Sequence, residues 1–139
     1  MHTQVMKRVT LPRPMIAVLV AVAAGIGVSL SAAPAQADVY SSCDLSTCAD
    51  GLTAVSTWES LGDPTTRGWY DLDDGECDYA GGEYYNDDGQ LPSGDTYYEY
   101  DVYPRACGAS RDAYRIVHDV TADVWYFSPD HYSDFYELS

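Results

Sequence analysis

Short aromatic segments fill the second half of this chain, and they constrain its fold more than any other feature. After Cys77, short runs rich in tyrosine and β-branched residues alternate with turn clusters such as "NDDGQLPSGD". Such runs, bounded by Gly, Pro, Asn and Asp, are typical of antiparallel strands. The pattern predicts four or five strands, at residues 82–85, 97–103, 114–118, 124–127 and 134–138.

The segment before these strands has a different periodicity. In "DGLTAVSTWESLG", residues 50–62, apolar side chains recur at helical spacing, and Gly62 and Pro64 supply a stop. One short helix followed by several strands is an α+β arrangement. We therefore expect one N-terminal helix packed on a four- to five-stranded antiparallel sheet.

Alternation within two of the strands places charged side chains on one face. In "YYEYDVY", Glu99 and Asp101 lie on the face opposite Tyr100, and in "YRIVH", Arg115 lies opposite Ile116. If the apolar face packs on the helix, Glu99 and Arg115 point together to the other face. From the strands alone, a simple cross-strand ion pair explains them equally well.

The N-terminus has the features of a secretory leader. Lys7, Arg8 and Arg13 precede an apolar run and then small residues that end in Ala35-x-Ala37. We expect residues 1–37 to be a signal peptide, and residues 38–139 to form a single secreted domain that is monomeric and not inserted in a membrane. Removing the leader takes three of the seven basic residues and none of the 22 acidic ones, which leaves a net charge of −18.

Four cysteines in a secreted chain favour two disulfides. Of the three possible pairings, Cys43–Cys48 with Cys77–Cys107 is favoured. A zinc site is the alternative, but no two cysteines have C-x-x-C spacing. The acidic stretch "DLDDGECD" does not have the glycine and glutamate positions of an EF-hand loop, which favours a solvated loop.

Four segments in order resemble the guanyl-specific microbial ribonucleases, the family of barnase-like secreted enzymes and their fungal relatives. They are "GGEYYNDDGQLP", "YYEYDV", "RDAYRIV" and "YFSPDHYSDF", and the similarity covers roughly residues 81–138. The resemblance implies the microbial ribonuclease fold for residues 38–139. It also implies an endoribonuclease that cleaves single-stranded RNA 3′ of guanine through a 2′,3′-cyclic phosphate.

The same resemblance implies a role for seven residues. Glu99 would be the general base, His131 the general acid, and Arg111 and Arg115 the phosphate-binding arginines. The implied substrate-binding residues are Asn86, Asp88 and Tyr132. The resemblance implies no metal and no cofactor, and it makes a barstar-like protein inhibitor a potential partner.

A second function from another class also fits the composition. A catalytically weak or inactive binding module with the ribonuclease fold would explain the acidic charge, because a net charge of −18 repels RNA. The complete set of Glu, two Arg and His favours the enzyme. His118, which closes a strand, is interpreted as structural.

Overall fold

A computed structural model describes residues 38–138 together with Gly25, Gly27 and Ser29. The expected leader lies outside the described residues apart from those three, and so does its cleavage site. In the described part of the chain, no helix is long and apolar enough to cross a membrane.

Within residues 38–138, seven strands form one mixed sheet, and a single α-helix packs on one of its faces. The sheet order is β1-β7-β6-β5-β4-β3-β2, and all neighbours are antiparallel except β1 and β7. The elements are β1 (Val39–Tyr40), α1 (Cys48–Ser60), β2 (Gly68–Asp71), β3 (Cys77–Tyr84), β4 (Tyr97–Asp101), β5 (Arg115–Asp119), β6 (Val124–Ser128) and β7 (Phe135–Leu138).

The expected four- to five-stranded antiparallel sheet is therefore wrong, because the sheet gains one strand at each edge. β1 has only two residues, too few to show a period, and it is held in parallel register by stacking of Tyr40 on Tyr136. β2 carries Trp69, whose ring packs edge-on against Tyr79 of β3 at 5.1 Å. Cross-strand aromatic pairs of this kind can stabilise an edge strand even when its sequence is too short to show the alternation typical of a strand.

The helix packs closely on one face of the sheet. Trp58 is fully buried there, and its Nε1 donates a hydrogen bond of 2.9 Å to the carbonyl oxygen of Asp101. Gly51 lets the helix approach, since a Cβ at that position would lie 3.2 Å from Phe127 and 3.3 Å from Leu138. The face also buries Ala54, Ala80, Tyr100, Val102, Ile116, Trp125 and Phe127.

The opposite face has a smaller core of its own rather than being fully open. Tyr97, Val117, Tyr126 and Phe135 are buried there beneath Leu91, which lies in the loop between β3 and β4. Glu99, the predicted general base, pairs in register with Val117 and therefore lies beside this second core.

Both favoured disulfides are confirmed. Cys43 is bonded to Cys48 at the start of the helix, and Cys77 is bonded to Cys107. The second bond ties the start of β3 to the loop after β4. A backbone bridge between Cys77 and Arg105 reinforces it with two hydrogen bonds of 2.8 Å.

Candidate active site

A cleft of about 870 Å³ lies on the face opposite the helix. Its walls come from β3 and the β3–β4 loop, from β4, and from the turn between β6 and β7, with Asp38 before β1 and Arg67 before β2 at its edge. The cleft brings together five of the seven predicted site residues: Asn86, Asp88, Glu99, His131 and Tyr132. Arg111 contacts Glu99 and Arg115 contacts Asp101, but neither arginine lines the cleft.

Glu99 is positioned by a bulge in the neighbouring strand. The register between β3 and β4 shifts between Ala80 and Gly82, so Gly81 is an extra residue facing Glu99. A Cβ at Gly81 would lie 1.7 Å from Oε1 of Glu99, which means that only glycine leaves room for this carboxylate. Glu99 is half-buried, and its Oε1 accepts a hydrogen bond of 3.5 Å from Nη2 of Arg111.

Asp101 organises the arginines next to Glu99. Its side chain is fully buried, and its Oδ1 lies 2.6 Å from Nη2 of Arg111 and 3.2 Å from Nη1 of Arg115. Oδ2 lies 3.8 Å from Nη2 of Arg105. A buried carboxylate among three guanidinium groups helps to fix their positions, together with Asp112, which pairs with Arg105 and Arg115, and Glu99, which pairs with Arg111.

The two predicted phosphate-binding arginines differ in their free donors. Nε and Nη2 of Arg111 bind Asp101 and Glu99, its Nη1 makes no hydrogen bond among the described residues, and its guanidinium lies 4.2 Å from the centre of the Tyr79 ring. Arg115 is buried, with Nη1 on the carbonyl oxygen of Tyr114, and burial lowers the pKa of its guanidinium. Arg111 therefore offers the more accessible donor.

His131 sits in a strained turn between β6 and β7. Both His131 (φ 53°) and Tyr132 (φ 70°) have left-handed backbone conformations, which L-residues adopt at a cost. The turn is fixed by the backbone N–H of Tyr132, which donates to Oγ of Ser128, and by the N–H of Asp134, which donates to Oδ1 of Asp130 at 2.8 Å. The imidazole is exposed, whereas its backbone N–H is bonded to the carbonyl oxygen of Ala113 at 2.9 Å.

Two tyrosines form an aromatic wall of the cleft. The Tyr84 and Tyr132 rings lie 4.8 Å apart, and both pack on the core at Phe135. Burial, with the nearby carboxylates of Asp88 and Glu99, raises the pKa of Tyr84 to about 12. Its hydroxyl therefore stays protonated near neutral pH.

The predicted base-binding loop follows β3. Asn86 has a left-handed backbone (φ 52°), and its side-chain amide bonds both the N–H and the carbonyl oxygen of Leu91. This closes the loop from within, so the Asn86 side chain shapes the loop, and Asp87 and Asp88 are left exposed at the cleft.

His118 lies away from the cleft. Its ring stacks on Trp125 at 4.0 Å, and its Nε2 lies 3.0 Å from Oδ1 of Asp123. These contacts fit the structural role expected for it.

Comparison with known proteins adds one finding. The ribonuclease family model matches residues 35–139, a range that contains every residue lining the cleft. The chain belongs to the ribonuclease family. It is an RNA-cleaving hydrolase, and RNA is its substrate. No curated protein and no solved structure matches the chain. The guanyl-specific, barnase-like subtype stays a prediction.

Acidic side chains outnumber basic ones in the lining of this ribonuclease's cleft. Arg67 and His131 are the basic groups among its lining residues. Carboxylates come from Asp38, Glu83, Asp87, Asp88, Glu99 and Asp134. A polyanionic substrate must therefore bind through local donors and stacking, because the charge of the cleft walls opposes it.

Sequence reasoning missed Asp101 as a member of this ribonuclease site. The available signal was its place two residues after Glu99 on the same face, in register with Arg115. Asp71, Cys77 and Cys107 form the compact group of potential metal ligands in the described part of the chain. Both of its sulfurs belong to a disulfide, so they are not available as thiolate ligands.

Proposed function

We propose that this protein is a secreted, monomeric endoribonuclease that cleaves single-stranded RNA 3′ of guanine in two steps, through a 2′,3′-cyclic phosphate. The observation that carries the proposal is that Glu99 and His131, a carboxylate and an imidazole, line one cleft. A protein inhibitor of the barstar type remains a potential partner under this proposal.

The two groups divide the proton transfers between them. In the first step Glu99 removes the proton of the 2′-hydroxyl, whose oxygen attacks phosphorus, while His131 protonates the departing 5′-oxygen. In the second step the roles are exchanged: His131 removes a proton from water, the water oxygen attacks the cyclic phosphate, and Glu99 protonates the 2′-oxygen. Neither step requires a metal ion, because protein groups supply the acid and the base.

Arg111 is the best placed of the arginines to contact the phosphate. Two of its nitrogens are held by Asp101 and Glu99, which fixes the orientation of Nη1, a donor without a hydrogen bond in the described part of the chain, next to the proposed base. A preorganised, charged donor of this kind stabilises charge that builds on the phosphoryl oxygens. Arg115, buried on Asp101, acts mainly by supporting Arg111 and Glu99.

Guanine preference rests on Asp88. This residue is exposed at the cleft in a loop that Asn86 closes on Leu91. A carboxylate accepts hydrogen bonds from N1–H and the exocyclic amine of guanine, and adenine does not offer that pair of donors. Tyr132 and Tyr84 supply the aromatic surface on which a base can stack.

The cleavage test uses the refolded mature protein and RNA in the presence of a chelator. We expect 2′,3′-cyclic ends first and 3′-phosphate ends later, with no cleavage of DNA. His131→Ala should lose about 10²–10⁴-fold in kcat/KM, the usual contribution of a general acid. His118→Ala is the matched control and should retain parent kinetics. Equal rates for His131→Ala and the parent would exclude His131 as the acid.

The base test uses dinucleotide substrates that differ only in the 5′ base. Asp88→Asn should reduce the guanine-over-adenine ratio by about 1–3 kcal/mol, by analogy with bidentate base contacts. Asp87→Asn removes the same charge from the neighbouring position and serves as the control. If Asp88→Asn leaves the ratio unchanged, Asp88 is not in the base site.

The acid-lined cleft also supports the second candidate function, a weak or inactive binding module. The enzyme and the binding module would share the fold and are distinguished by whether they cleave RNA. For the enzyme, we expect kcat/KM on oligomeric RNA to rise or stay level from low to moderate salt, because screening weakens the repulsion from the cleft carboxylates. Intact RNA after incubation with the parent protein at every salt concentration would favour the binding module.

A further inference from the structure

The backbone nitrogen of Asp38 lies at the rim of the cleft. Asp38 lines the cleft, and its N lies 3.2 Å from Oδ1 of Asp134. Its carbonyl oxygen accepts a hydrogen bond of 2.9 Å from the N–H of Phe135. Asp38 is therefore fixed from both sides to the chain that leads from the His131 turn into β7.

Asp134 connects this nitrogen to the catalytic turn. The N–H of Asp134 donates to Oδ1 of Asp130, which also accepts a hydrogen bond from Ser128. His131 and Tyr132 lie between these two aspartates and have left-handed backbones. A strained turn persists only where its surroundings hold it, and Asp38 contributes one of those restraints.

The expected cleavage after Ala37 changes the chemistry of this nitrogen. A signal peptidase would add water across the Ala37–Asp38 peptide bond, so that Ala37 gains a carboxylate and the nitrogen of Asp38 becomes a free amine. An α-amine has an ordinary pKa of about 8 and is protonated near neutral pH. A neutral amide donor is thereby replaced by an ammonium group facing a carboxylate.

We propose that the α-ammonium group of processed Asp38 pairs with Asp134 and is a positioning group for the His131–Tyr132 turn. It also places a cation at the rim of an acid-lined cleft, so that processing makes the ribonuclease more active. The proposal rests on the proposed function for its kinetic part and on the expected cleavage site for the identity of the terminus.

The surroundings of the nitrogen favour its charged form. The carboxylate of Asp134 lies 3.2 Å from it, the carboxylate of Asp38 belongs to the same residue, and Asp130 lies in the turn that precedes Asp134. The phenols of Tyr40 and Tyr136 lie on the adjoining strands; the carboxylate of Asp38 raises the pKa of Tyr40, and burial followed by the carboxylate of Asp134 raises the pKa of Tyr136. The imidazole of His131 is the nearby basic group on the turn.

The sequence makes this group easy to test. The lone lysine of the chain is Lys7, so the α-amine of Asp38 is the one primary amine of the processed protein. An amine-selective acetylating reagent therefore removes this charge and no other. The pH dependence of the labelling rate reports the pKa of the amine directly.

The experiment compares protein that begins at Asp38 with its acetylated form and with a form that retains residues 35–37. Each is made in the parent, in Asp134→Asn and in Asp73→Asn, an exposed control that removes the same charge far from the terminus. We expect the amine pKa to lie about one unit above its ordinary value of about 8 in the parent and in Asp73→Asn, and close to that value in Asp134→Asn.

We expect acetylation to lower kcat/KM about tenfold in the parent, which corresponds to the ~1.4 kcal/mol of one charge-assisted hydrogen bond. In Asp134→Asn the same modification should change kcat/KM less than about twofold. An amine pKa that Asp134→Asn does not alter would refute the ion pair. Equal losses on acetylation in both backgrounds would refute the positioning role.

Failure of the proposed function gives a different result. If no form cleaves RNA, the assignment of Glu99 and His131 fails. The amine pKa and its dependence on Asp134 would still decide whether the processed terminus pairs with the turn.

Discussion

Gly81→Ala tests the site with a single methyl group. The added Cβ would lie 1.7 Å from Oε1 of Glu99, 2.4 Å from its Cδ and 2.5 Å from its Cγ. The backbone of Gly81 is not left-handed, so alanine meets no conformational penalty there. The strain therefore falls on the Glu99 side chain, which has to move from Cγ outward.

The distance that the Glu99 carboxylate must move determines how far kcat/KM is expected to fall. Carbon and oxygen atoms pack at about 3.5 Å, so the carboxylate has to shift by roughly 1.5–2 Å to clear the methyl group. A misplacement of about 1 Å in a reacting group costs about 10²-fold, and a general base as a whole contributes about 10²–10⁴-fold. We expect kcat/KM on RNA to fall about 10²–10³-fold.

The assay is a double-mutant cycle with Glu99→Ala. In that background the clash is absent, so Gly81→Ala should leave the residual activity unchanged. It should also raise the free energy of unfolding by about 0.5–1 kcal/mol, because alanine loses less backbone entropy in a strand than glycine does. Urea denaturation supplies the second measurement and shows whether each variant is folded.

Two results would refute this reasoning. Parent activity in Gly81→Ala would mean that the carboxylate of Glu99 is not needed where it lies. A further 10²-fold loss on adding Gly81→Ala to Glu99→Ala would mean that the methyl group acts through something other than Glu99, such as the bulge itself.

Three further changes test the packing around the site. Asp101→Asn should lower the free energy of unfolding by about 3–5 kcal/mol in urea titrations, because Arg111 and Arg115 lose the buried counterion that they share and keep only their 3.5 Å contacts with Glu99 and Asp112; a loss below about 1 kcal/mol would contradict this. Burial raises the pKa of Asp78 to about 7, so its stabilising effect is complete below pH ~4 and is lost as the pH rises toward 7. Asp78→Asn should flatten that pH dependence, and an unchanged slope would show that Asp78 is not its source. Replacing Cys77 and Cys107 together by serine should lower the free energy of unfolding by about 3–4 kcal/mol, as expected for a cross-link over 30 residues. An unchanged urea midpoint would argue against a stabilising role for this disulfide.

Sequence patterns predicted the centre of the sheet but not its edges. β4, β5 and β6 are each five residues long and rich in aromatic or β-branched residues, which is enough to predict a strand. β1 has two residues, and its pairing with β7 depends on the aromatic contact of Tyr40 with Tyr136. Contacts between residues almost a hundred positions apart leave no local signature.

The same limit applies within the site. Five of the seven residues chosen by order and residue type share one cleft, and their roles stay predictions. They did not predict that Gly81 would form a bulge against Glu99, or that Asp101 would hold the arginines. A glycine in "AGGEY" becomes informative only when the partner strand and its register are known.

Net charge and site charge are different quantities in this molecule. Outside the expected leader the chain has four arginines, and all four lie at the candidate site. Arg67 lines the cleft, whereas Arg105, Arg111 and Arg115 converge on Asp101 next to Glu99. Because interactions between exposed charges fade beyond about 8–10 Å at physiological salt, the distant carboxylates weigh less on a bound phosphate than these adjoining cations. Without the expected leader, a chain with a net charge of −18 can therefore act on RNA, provided that its few cations are concentrated where the phosphate binds.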